Sequence, residues 1–526
     1  MSNLKEQDTN GMTLENSSDS VKDVHPYEPE PIQDSDVEEQ GSGHHGSRAS
    51  DLLRTVTQYT EYSVASGGAA AEEAEKEQEE SDEKKTGGAH IGKPEKNVPG
   101  RYGFWSKPNG TLRKIFFKQW TIIIVILSAY VLGVFSIYWG SMYQRPGRLV
   151  NLKVLVVVED DQSAILSNAL LEALENPAVK SMVGWTVKDY MPEDQVKQLI
   201  NTEKYWGSIY VGGPNVSTEL VSAFQESKNI NTSDLMKSYY ETARDLMGVS
   251  LYIKPALIQA GSVYNEILQQ SVYPGLISNL SSSQFSAMKG SPILTNIPDI
   301  QYTDGNPVTS PVLLAPLQVG LIYMIILSFF QILWFVKLNG DVAKYLKPIN
   351  YIVYRMVLEQ VNCLLLSLAY TLLNRAFQID MNRTWSGGFG VMWMISYLIM
   401  AACGGANENI FLLTGPILPP LVGFWILFFV VLNVSATFSP VEVCPEVFKF
   451  TYALPIKNGY ELMKITLLDT YKGHLGRYFG VLVAWVVLNN ILMPFCLIFF
   501  ASMTKKKIRQ QEQARRAAEA AKKNVD

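Results

Sequence analysis

Five long apolar segments lie close together in the second half of the chain, at residues 312–336, 353–373, 389–406, 417–438 and 479–503. A helix needs about 20 mostly apolar residues to cross the hydrocarbon core of a bilayer, and each segment is close to that length. The breaks between the segments contain Gly, Pro and charged residues and are too short to form a soluble domain. Residues 312–503 are therefore predicted to form a membrane block of five helices.

A sixth apolar segment, residues 120–139, lies far upstream and is bordered by Trp120 and Trp139. Tryptophan is enriched at both membrane–water interfaces, so this border suits a membrane span. The sequence thus predicts a polytopic α-helical membrane protein with six spans in a 1+5 arrangement, the first within residues 101–143. No apolar signal sequence precedes this span, and we expect the span itself to act as an uncleaved insertion signal.

The first 100 residues differ in composition from the rest of the chain. They contain 9 Lys and Arg against 22 Asp and Glu, a net charge of −13, whereas the remaining residues contain 36 against 28, a net charge of +8. They have no Trp and no Cys and few aliphatic residues, so they cannot bury enough apolar surface to offset the entropy lost on ordering. We predict a disordered acidic tail over residues 1–100 and a basic tail over residues 504–526.

Basic residues crowd the N-terminal side of the first span, at Arg101, Lys107, Arg113, Lys114 and Lys118. The positive-inside rule places this side in the cytosol, and six spans then return the basic C-terminus to the same side. Residues 144–311 are therefore expected to lie outside the cytosol. Three sequons in this segment make candidate glycosylation sites of Asn215, Asn231 and Asn279.

Alternating strand and helix patterns open this outward segment. Strand patterns at 153–158, 182–187 and 207–211 alternate with helical patterns at 164–174, 192–205 and near 218–225. This β-α-β-α-β order predicts a small α/β extracytoplasmic domain between the first and second spans. Leu235, Tyr239, Ala243 and Leu246 recur at helical intervals, so residues 234–268 are predicted to be helical.

Three adjacent acids, Glu159, Asp160 and Asp161, follow the first predicted strand. They could hold a cation, but three acids in one loop are more typical of a solvated turn, and no fourth ligand is evident. The sequence contains no Gly-x4-Gly-Lys-Ser/Thr motif after residue 101, no nucleophile–base–acid set and no metal cluster. We therefore predict a protein that is not an enzyme and has no cofactor, no metal site and no nucleic-acid partner.

Ionisable residues inside the predicted spans are candidate functional residues because they are costly in a bilayer. Arg355 and Glu359 are four residues apart, which predicts an i,i+4 ion pair at the interface, with transport chemistry as the alternative. Gly404, Gly405 and Glu408 interrupt the fourth span, which predicts either a tight cytosolic turn or a broken helix lining a substrate path. Glu359 and Glu408 are the candidates from this group. Interhelical hydrogen bonds are expected from Asn433, Asn489 and Asn490.

The segment between the last two spans predicts an amphipathic helix. Pro455 can begin it, an apolar face follows through Met463 and Leu467, and Lys457, Glu461 and Lys464 lie on another face. Such a helix is expected to lie in the outer membrane interface. The candidate functional residues of this segment are Pro455, Asn458, Glu461, Met463 and Leu467.

Four sequence features carry a resemblance to a known family. These are the plan of one span, an outward domain and five spans, and the motifs Val156-Val157-Val158-Glu159-Asp160-Asp161, Tyr205-Trp206-Gly207-Ser208-Ile209-Tyr210-Val211 and Tyr452-Ala453-Leu454-Pro455-Ile456-Lys457-Asn458. Over residues 110–503 the chain resembles the fungal nitrosoguanidine-resistance proteins, which are similar to permease subunits of ABC exporters. The resemblance implies residence in the plasma membrane and a role in tolerance of toxic compounds.

Two functional hypotheses remain open. In the first, a permease-like protein exports, or helps to export, amphipathic compounds or lipids. In the second, the protein is a non-transporting membrane organiser or stress-response factor that affects lipid arrangement or partner pumps. The expected partners are membrane lipids, amphipathic small molecules, and either further copies of the chain or a partner transporter.

Overall fold

A computed structural model describes residues 103–161, 164–226, 228, 230–288 and 296–523. The predicted acidic tail, residues 1–100, lies outside the described residues. The first long helix is α1 Gly110–Met142. A β-sheet with packed helices follows, and a bundle of long apolar helices comes after it.

The sheet has five strands, which are β1 Lys153–Val157, β2 Gly184–Lys188, β3 Gly207–Val211, β4 Met236–Tyr240 and β5 Ile300–Asp304. Their order in space is β2-β1-β3-β4-β5. β1 pairs in parallel with β2 and β3, and β4 pairs antiparallel with β3 and parallel with β5. The sheet is therefore mixed, with β1, β2 and β3 forming the parallel part that the strand–helix alternation predicts.

Helices cover both faces of the sheet. They are α2 Ile165–Glu175, α3 Glu193–Asn201, α4 Val216–Gln225, α5 Leu246–Ser278 and α6 Ser282–Met288. Alternate residues of β1 enter different cores, because Val154 and Val156 pack with α2, α4 and α5, whereas Leu155 and Val157 pack with α3. Burial on both faces explains why β1 reads as a continuous run of aliphatic residues.

The structure corrects the prediction for residues 234–268. Residues 236–240 form β4 rather than a helix, and the helix α5 begins at Leu246. Tyr239 and Ala243 satisfy a helical interval by coincidence, because Tyr239 is buried under α3 as part of β4 while Ala243 belongs to the following turn. A five-residue strand gives too few positions to separate a period of two from a period of 3.6.

Among the described residues, six helices are long and apolar enough to cross a membrane, namely α1, α5, α7 Pro311–Ala343, α8 Pro348–Ala376, α9 Gly388–Thr414 and the last helix, α12 Leu475–Lys523. Five of them coincide with predicted spans. The helix α5 was not predicted as a span, and its fully buried Ile253, Leu257 and Tyr264 share a core with the sheet. The predicted span 417–438 contains α10 Pro420–Val434, which has only 15 residues.

The bundle is centred on α9, whose Met392, Ile395 and Ile399 are fully buried. Between α10 and the last helix lies α11 Pro455–Leu468, which packs into the same core. The last helix, α12 Leu475–Lys523, continues through Pro494 and through most of the predicted basic tail. The length and hydropathy of these helices identify this chain as a membrane protein.

Candidate functional site

The structure places the predicted functional residues in two separate regions. Glu359 on α8 and Glu408 on α9 lie inside the helix bundle, while Pro455, Asn458, Glu461, Met463 and Leu467 lie on α11.

Arg355, Glu359 and Glu408 meet between α8 and α9 and are called the bundle triad below. The Arg355 guanidinium donates to Glu408 Oε1, and Glu359 lines the same small cavity as these two residues. The three residues are 8%, 6% and 4% exposed. The predicted ion pair between Arg355 and Glu359 is therefore wrong, because the guanidinium pairs with Glu408 of the neighbouring helix α9 instead.

The structure also corrects both interpretations of the Gly404–Glu408 region. The helix α9 runs without a break from Gly388 to Thr414, so this region is neither a turn nor a broken helix. Its glycines allow neighbouring helices to approach closely. A Cβ on Gly404 would lie 3.4 Å from Glu359 Oε1, and one on Gly405 would lie 2.6 Å from Asn489 Cβ of α12. Small residues serve this purpose in membrane helix packing.

The expected interhelical hydrogen bonds are found for two of the three asparagines. Asn489 Nδ2 on α12 donates to Ala402 O on α9 at 2.9 Å. Asn433 Oδ1 on α10 accepts from Ile456 N on α11 at 3.4 Å. Asn490 Nδ2 instead donates to Val486 O of its own helix at 2.8 Å, which is a local bond that asparagine often makes.

In the second region, α11 begins where the sequence predicts. Pro455 lies in the first turn, where its missing N–H removes no helical bond. Asn458 Nδ2 donates to Leu454 O at 2.8 Å and thereby fastens the start of the helix. Met463 and Leu467 are 0% and 2% exposed and belong to the core of the bundle. Four of the five candidates on α11 therefore hold the helix in place.

The predicted location of α11 in the membrane interface is wrong. Every residue of α11 except Glu461 is buried. Its apolar face lies against α9 so closely that a Cβ on Gly459 would be 2.5 Å from Ile399 Cδ1. Its polar face is covered by protein, since Lys464 Nζ donates to Arg244 O at 2.6 Å. A sequence with a polar face cannot reveal whether water or a polar protein surface lies against that face.

The polar face of α11 carries a buried ion network. Glu461 Oε1 lies 3.0 Å from Lys457 Nζ, and Glu461 Oε2 lies 2.7 Å from Lys464 Nζ. Burial alone would raise the pKa of Glu461, but the two ammonium groups outweigh it and lower this pKa to about 2. Burial would lower the pKa of Lys457, and Glu461 and Asp245 reverse the direction and raise it. The network is therefore ionised at neutral pH.

This network lines a cleft of about 380 Å³, called the junction cleft, between the sheet-containing part and the helix bundle. The cleft has basic and acidic side chains on both walls. The basic ones are Lys204, Arg244, Lys457, Lys464 and Arg477, and the acidic ones are Glu203, Asp245, Glu442 and Glu461. The Arg244 guanidinium carbon lies 3.8 Å from the centroid of the Trp206 ring. The cleft is thus strongly polar, with aromatic rings beside its cations.

Most residues of the junction cleft were not predicted from the sequence. Arg244 and Arg477 carry no local signal that places them near α11, because the cleft brings together residues more than 200 positions apart. Trp206 belongs to a motif that carried the family resemblance, and that motif was the one available signal. His474 is exposed and also lines the cleft.

The acidic loop after β1 is not a solvated turn at Glu159, which is 4% exposed. Its carboxylate accepts from Ser217 N at 2.8 Å, from Ser217 Oγ at 2.5 Å and from Ser167 Oγ at 2.9 Å. It therefore ties β1 to α2 and α4. In the described part of the chain no group of three His, Cys, Asp or Glu residues could hold a metal ion.

The sequon asparagines Asn215, Asn231 and Asn279 are all exposed. Asn231 Nδ2 donates to Asp234 Oδ2 at 2.5 Å, a bond that a glycan on this nitrogen would alter. Their exposure is compatible with glycosylation, which stays a prediction for the three residues.

Comparison with known proteins gives a family but no activity. The family model described as a protein of unknown function, DUF3533, matches residues 123–491. An uncharacterized endoplasmic reticulum membrane protein of Saccharomyces cerevisiae is 28% identical over 440 residues, which cover 78% of this chain and 86% of the yeast protein. No solved structure matches the chain. Neither description mentions nitrosoguanidine resistance or an ABC permease, so that resemblance remains an interpretation.

Proposed function

We propose a function for a chain that belongs to the DUF3533 family of proteins of unknown function: it is a permease-like membrane protein that exports, or helps to export, amphipathic compounds or lipids. The observation that carries the proposal is the junction cleft, a polar space of about 380 Å³ whose walls include the buried helix α11. A polar cleft set against a membrane bundle suits a molecule that has one polar end and one apolar end.

The charges of the cleft indicate the polar end of such a molecule. Basic and acidic side chains are interspersed there, so a zwitterionic headgroup could be bound through both of its charges. Arg477 is exposed in the cleft and lies 5.3 Å from the ring centroid of Tyr452, and it can bind an anion without breaking an ion network. Glu461 is already held by two lysines, so its role is to fix the positions of those cations.

The resemblance to resistance proteins extends this proposal to tolerance of toxic compounds and to the plasma membrane. The yeast relative is described as an endoplasmic reticulum protein, which supports that membrane as the other location. Imaging of the full chain with a C-terminal fluorescent protein, against markers of both membranes, decides between them. Transport in this proposal needs no catalytic chemistry from the chain, and further copies of the chain or a partner transporter complete the assembly.

The alternative is a non-transporting membrane organiser or stress-response factor. The observation that favours it is the close packing around the bundle triad, where the cavity measures about 20 Å³. That volume holds about one water molecule and is too small for a lipid to pass. A protein that binds lipid without transporting it needs no wider path through its bundle.

Reconstitution of the purified chain in liposomes tests the proposal. We expect movement of a labelled zwitterionic lipid between leaflets to exceed that in empty liposomes, and Arg477→Gln to reduce it several-fold. The matched control is Lys449→Gln, which removes an exposed cation that is paired with Glu446 outside the cleft. Lipid movement equal to that in empty liposomes would contradict transport, and binding of the same lipid without movement would favour the organiser.

A further inference from the structure

We propose that the bundle triad is an intramembrane proton-binding site, in which Glu359 and Glu408 hold one proton between them while Arg355 neutralises the remaining negative charge. Proton binding is independent of the function proposed above. Its consequence, that proton movement supplies the energy for export, rests on that function.

The geometry of the bundle triad supports ligand binding, because a cavity lies beside buried polar atoms that have no hydrogen-bond partner. The cavity of about 20 Å³ is lined by Gln331, Asn339, Arg355, Glu359, Asn362 and Glu408 together with apolar residues. Glu359 Oε1 and Gln331 Oε1 have no hydrogen-bond partner, and the two residues are 6% and 7% exposed. Buried polar atoms are normally hydrogen-bonded, so two unpartnered oxygens beside one cavity point to a ligand that donates hydrogen bonds.

Charge balance identifies the ligand as a proton. Among the described residues that line this cavity, Arg355 carries one positive charge and the two glutamates carry two negative charges when ionised. The surplus negative charge lies inside an apolar bundle, where an unpaired charge is strongly unfavourable. One proton removes the surplus, and it gives one of the two glutamates an O–H group that can donate inside the cavity that both residues line.

The other titratable groups near the triad do not supply the missing positive charge. Tyr351 precedes Arg355 by one turn of α8, and Tyr354 of the same helix donates to Asn339 Oδ1 at 3.2 Å. The Cys363 thiol of α8 accepts from Gln331 Nε2 at 3.5 Å, and Tyr397 of α9 donates to Gln360 Oε1 at 2.8 Å. The remaining thiol is that of Cys403 on α9, which is buried. All of these described groups are neutral when protonated.

The position of the triad suits exchange with one side of the membrane. Glu408 lies six residues before the end of α9, and Arg355 lies seven residues after the start of α8. At 1.5 Å per residue, the triad lies about 10 Å inside one end of the bundle. The junction cleft lies at the other end, since its Arg477 and Tyr478 are in the first turn of α12, whereas Asn409, beside Glu408, bonds Asn489 more than three turns further along that helix. A proton and a cargo would thus enter from opposite ends.

Infrared spectroscopy of the full chain in liposomes tests the proposal, because a protonated carboxyl group absorbs apart from a carboxylate. The difference spectrum between the wild type and Glu359→Gln at pH 7 is expected to show the loss of one carboxylic C=O band that shifts in D2O. Glu408→Gln is expected to lose the same band, since Arg355 then neutralises Glu359. Arg355→Gln is expected to double it, because two carboxyl groups then lack a cation. The control is Asp341→Asn, which alters an acid that is paired with Lys344 on the same helix as Gln331 and leaves the band unchanged.

A measurement on the unmodified chain covers the case in which a variant fails to fold. Dicyclohexylcarbodiimide is apolar and reacts with protonated carboxyl groups, and peptide mass spectrometry is expected to find it on Glu359 or Glu408, with less label as the pH rises. The inference is overturned if neither glutamate is labelled between pH 5 and 7, or if the carboxylic band survives in Glu359→Gln. Lipid movement without this band would overturn the proton site alone, and the band without lipid movement would overturn the proposed transport alone.

Discussion

Glu461 is the residue that joins the two lysines of α11, and removing its charge tests the ion network directly. Glu461→Gln leaves Lys457 and Lys464 buried without their carboxylate. Breaking a buried ion pair from one side costs about 3–5 kcal/mol, so we expect a clear fall in the melting temperature of the purified protein in detergent. The control is Glu446→Gln, which alters an exposed pair with Lys449 and is expected to change stability by less than about 1 kcal/mol. Equal melting temperatures for both variants would contradict a buried network.

The same carboxyl group predicts a specific dependence on pH. The pKa of Glu461 is about 2 in the folded protein, below its ordinary value of 4.5, so its contribution to stability is present above pH 4.5 and lost as the pH falls towards 2. The difference in melting temperature between wild type and Glu461→Gln is therefore expected to be constant from pH 7 to 5 and to shrink below pH 4.5. A difference that does not change down to pH 3 would show that the carboxylate is not what the variant removes.

At the scale of the element, α11 is expected to behave as part of the core. Met463 and Leu467, on the predicted apolar face of this helix, are 0% and 2% exposed. Met463→Ala is expected to cost about 2–5 kcal/mol, and Met463→Asp is expected to prevent accumulation in the membrane. The control, Val447→Asp, changes a residue that is 69% exposed. If Met463→Asp accumulated normally in the membrane, the result would contradict a buried α11 and support its predicted location in the membrane interface.

The elements that the sequence predicted well are those whose signal is local. The start of α11 at Pro455 and the strand β1 follow from proline geometry and from a run of aliphatic residues. The partners of side chains could not be predicted in the same way. Arg355 has Glu359 four positions away, yet it pairs with Glu408, 53 positions away, because helix packing decides which acid faces the guanidinium.

At the scale of the whole molecule, too, features of single segments could be predicted from the sequence, whereas contacts between distant segments could not. The apolar segments of the bundle were predicted because hydropathy is a property of each segment alone. The junction cleft was not, since its walls are the loops and helices that the fold brings together from residues 202–245 and 440–478. The helix α5 lies between these cases, because its composition suits a membrane while its buried face packs on the sheet.

The 1+5 arrangement is the prediction that belongs to the molecule as a whole. It places the sheet on the outer side and the C-terminal part of α12 in the cytosol, and the chain allows a clean test because Cys363, Cys403, Cys444 and Cys496 are free and buried. We expect a membrane-impermeant maleimide to label Lys228→Cys in sealed cells but to label Lys506→Cys only after permeabilisation, since both positions are exposed and the predicted arrangement places them on opposite sides of the membrane. Unsubstituted protein is the control for background labelling. If the chain resides in the endoplasmic reticulum, sealed microsomes reverse the order. Labelling of both positions from the same side would show that α5 or α10 changes the number of crossings.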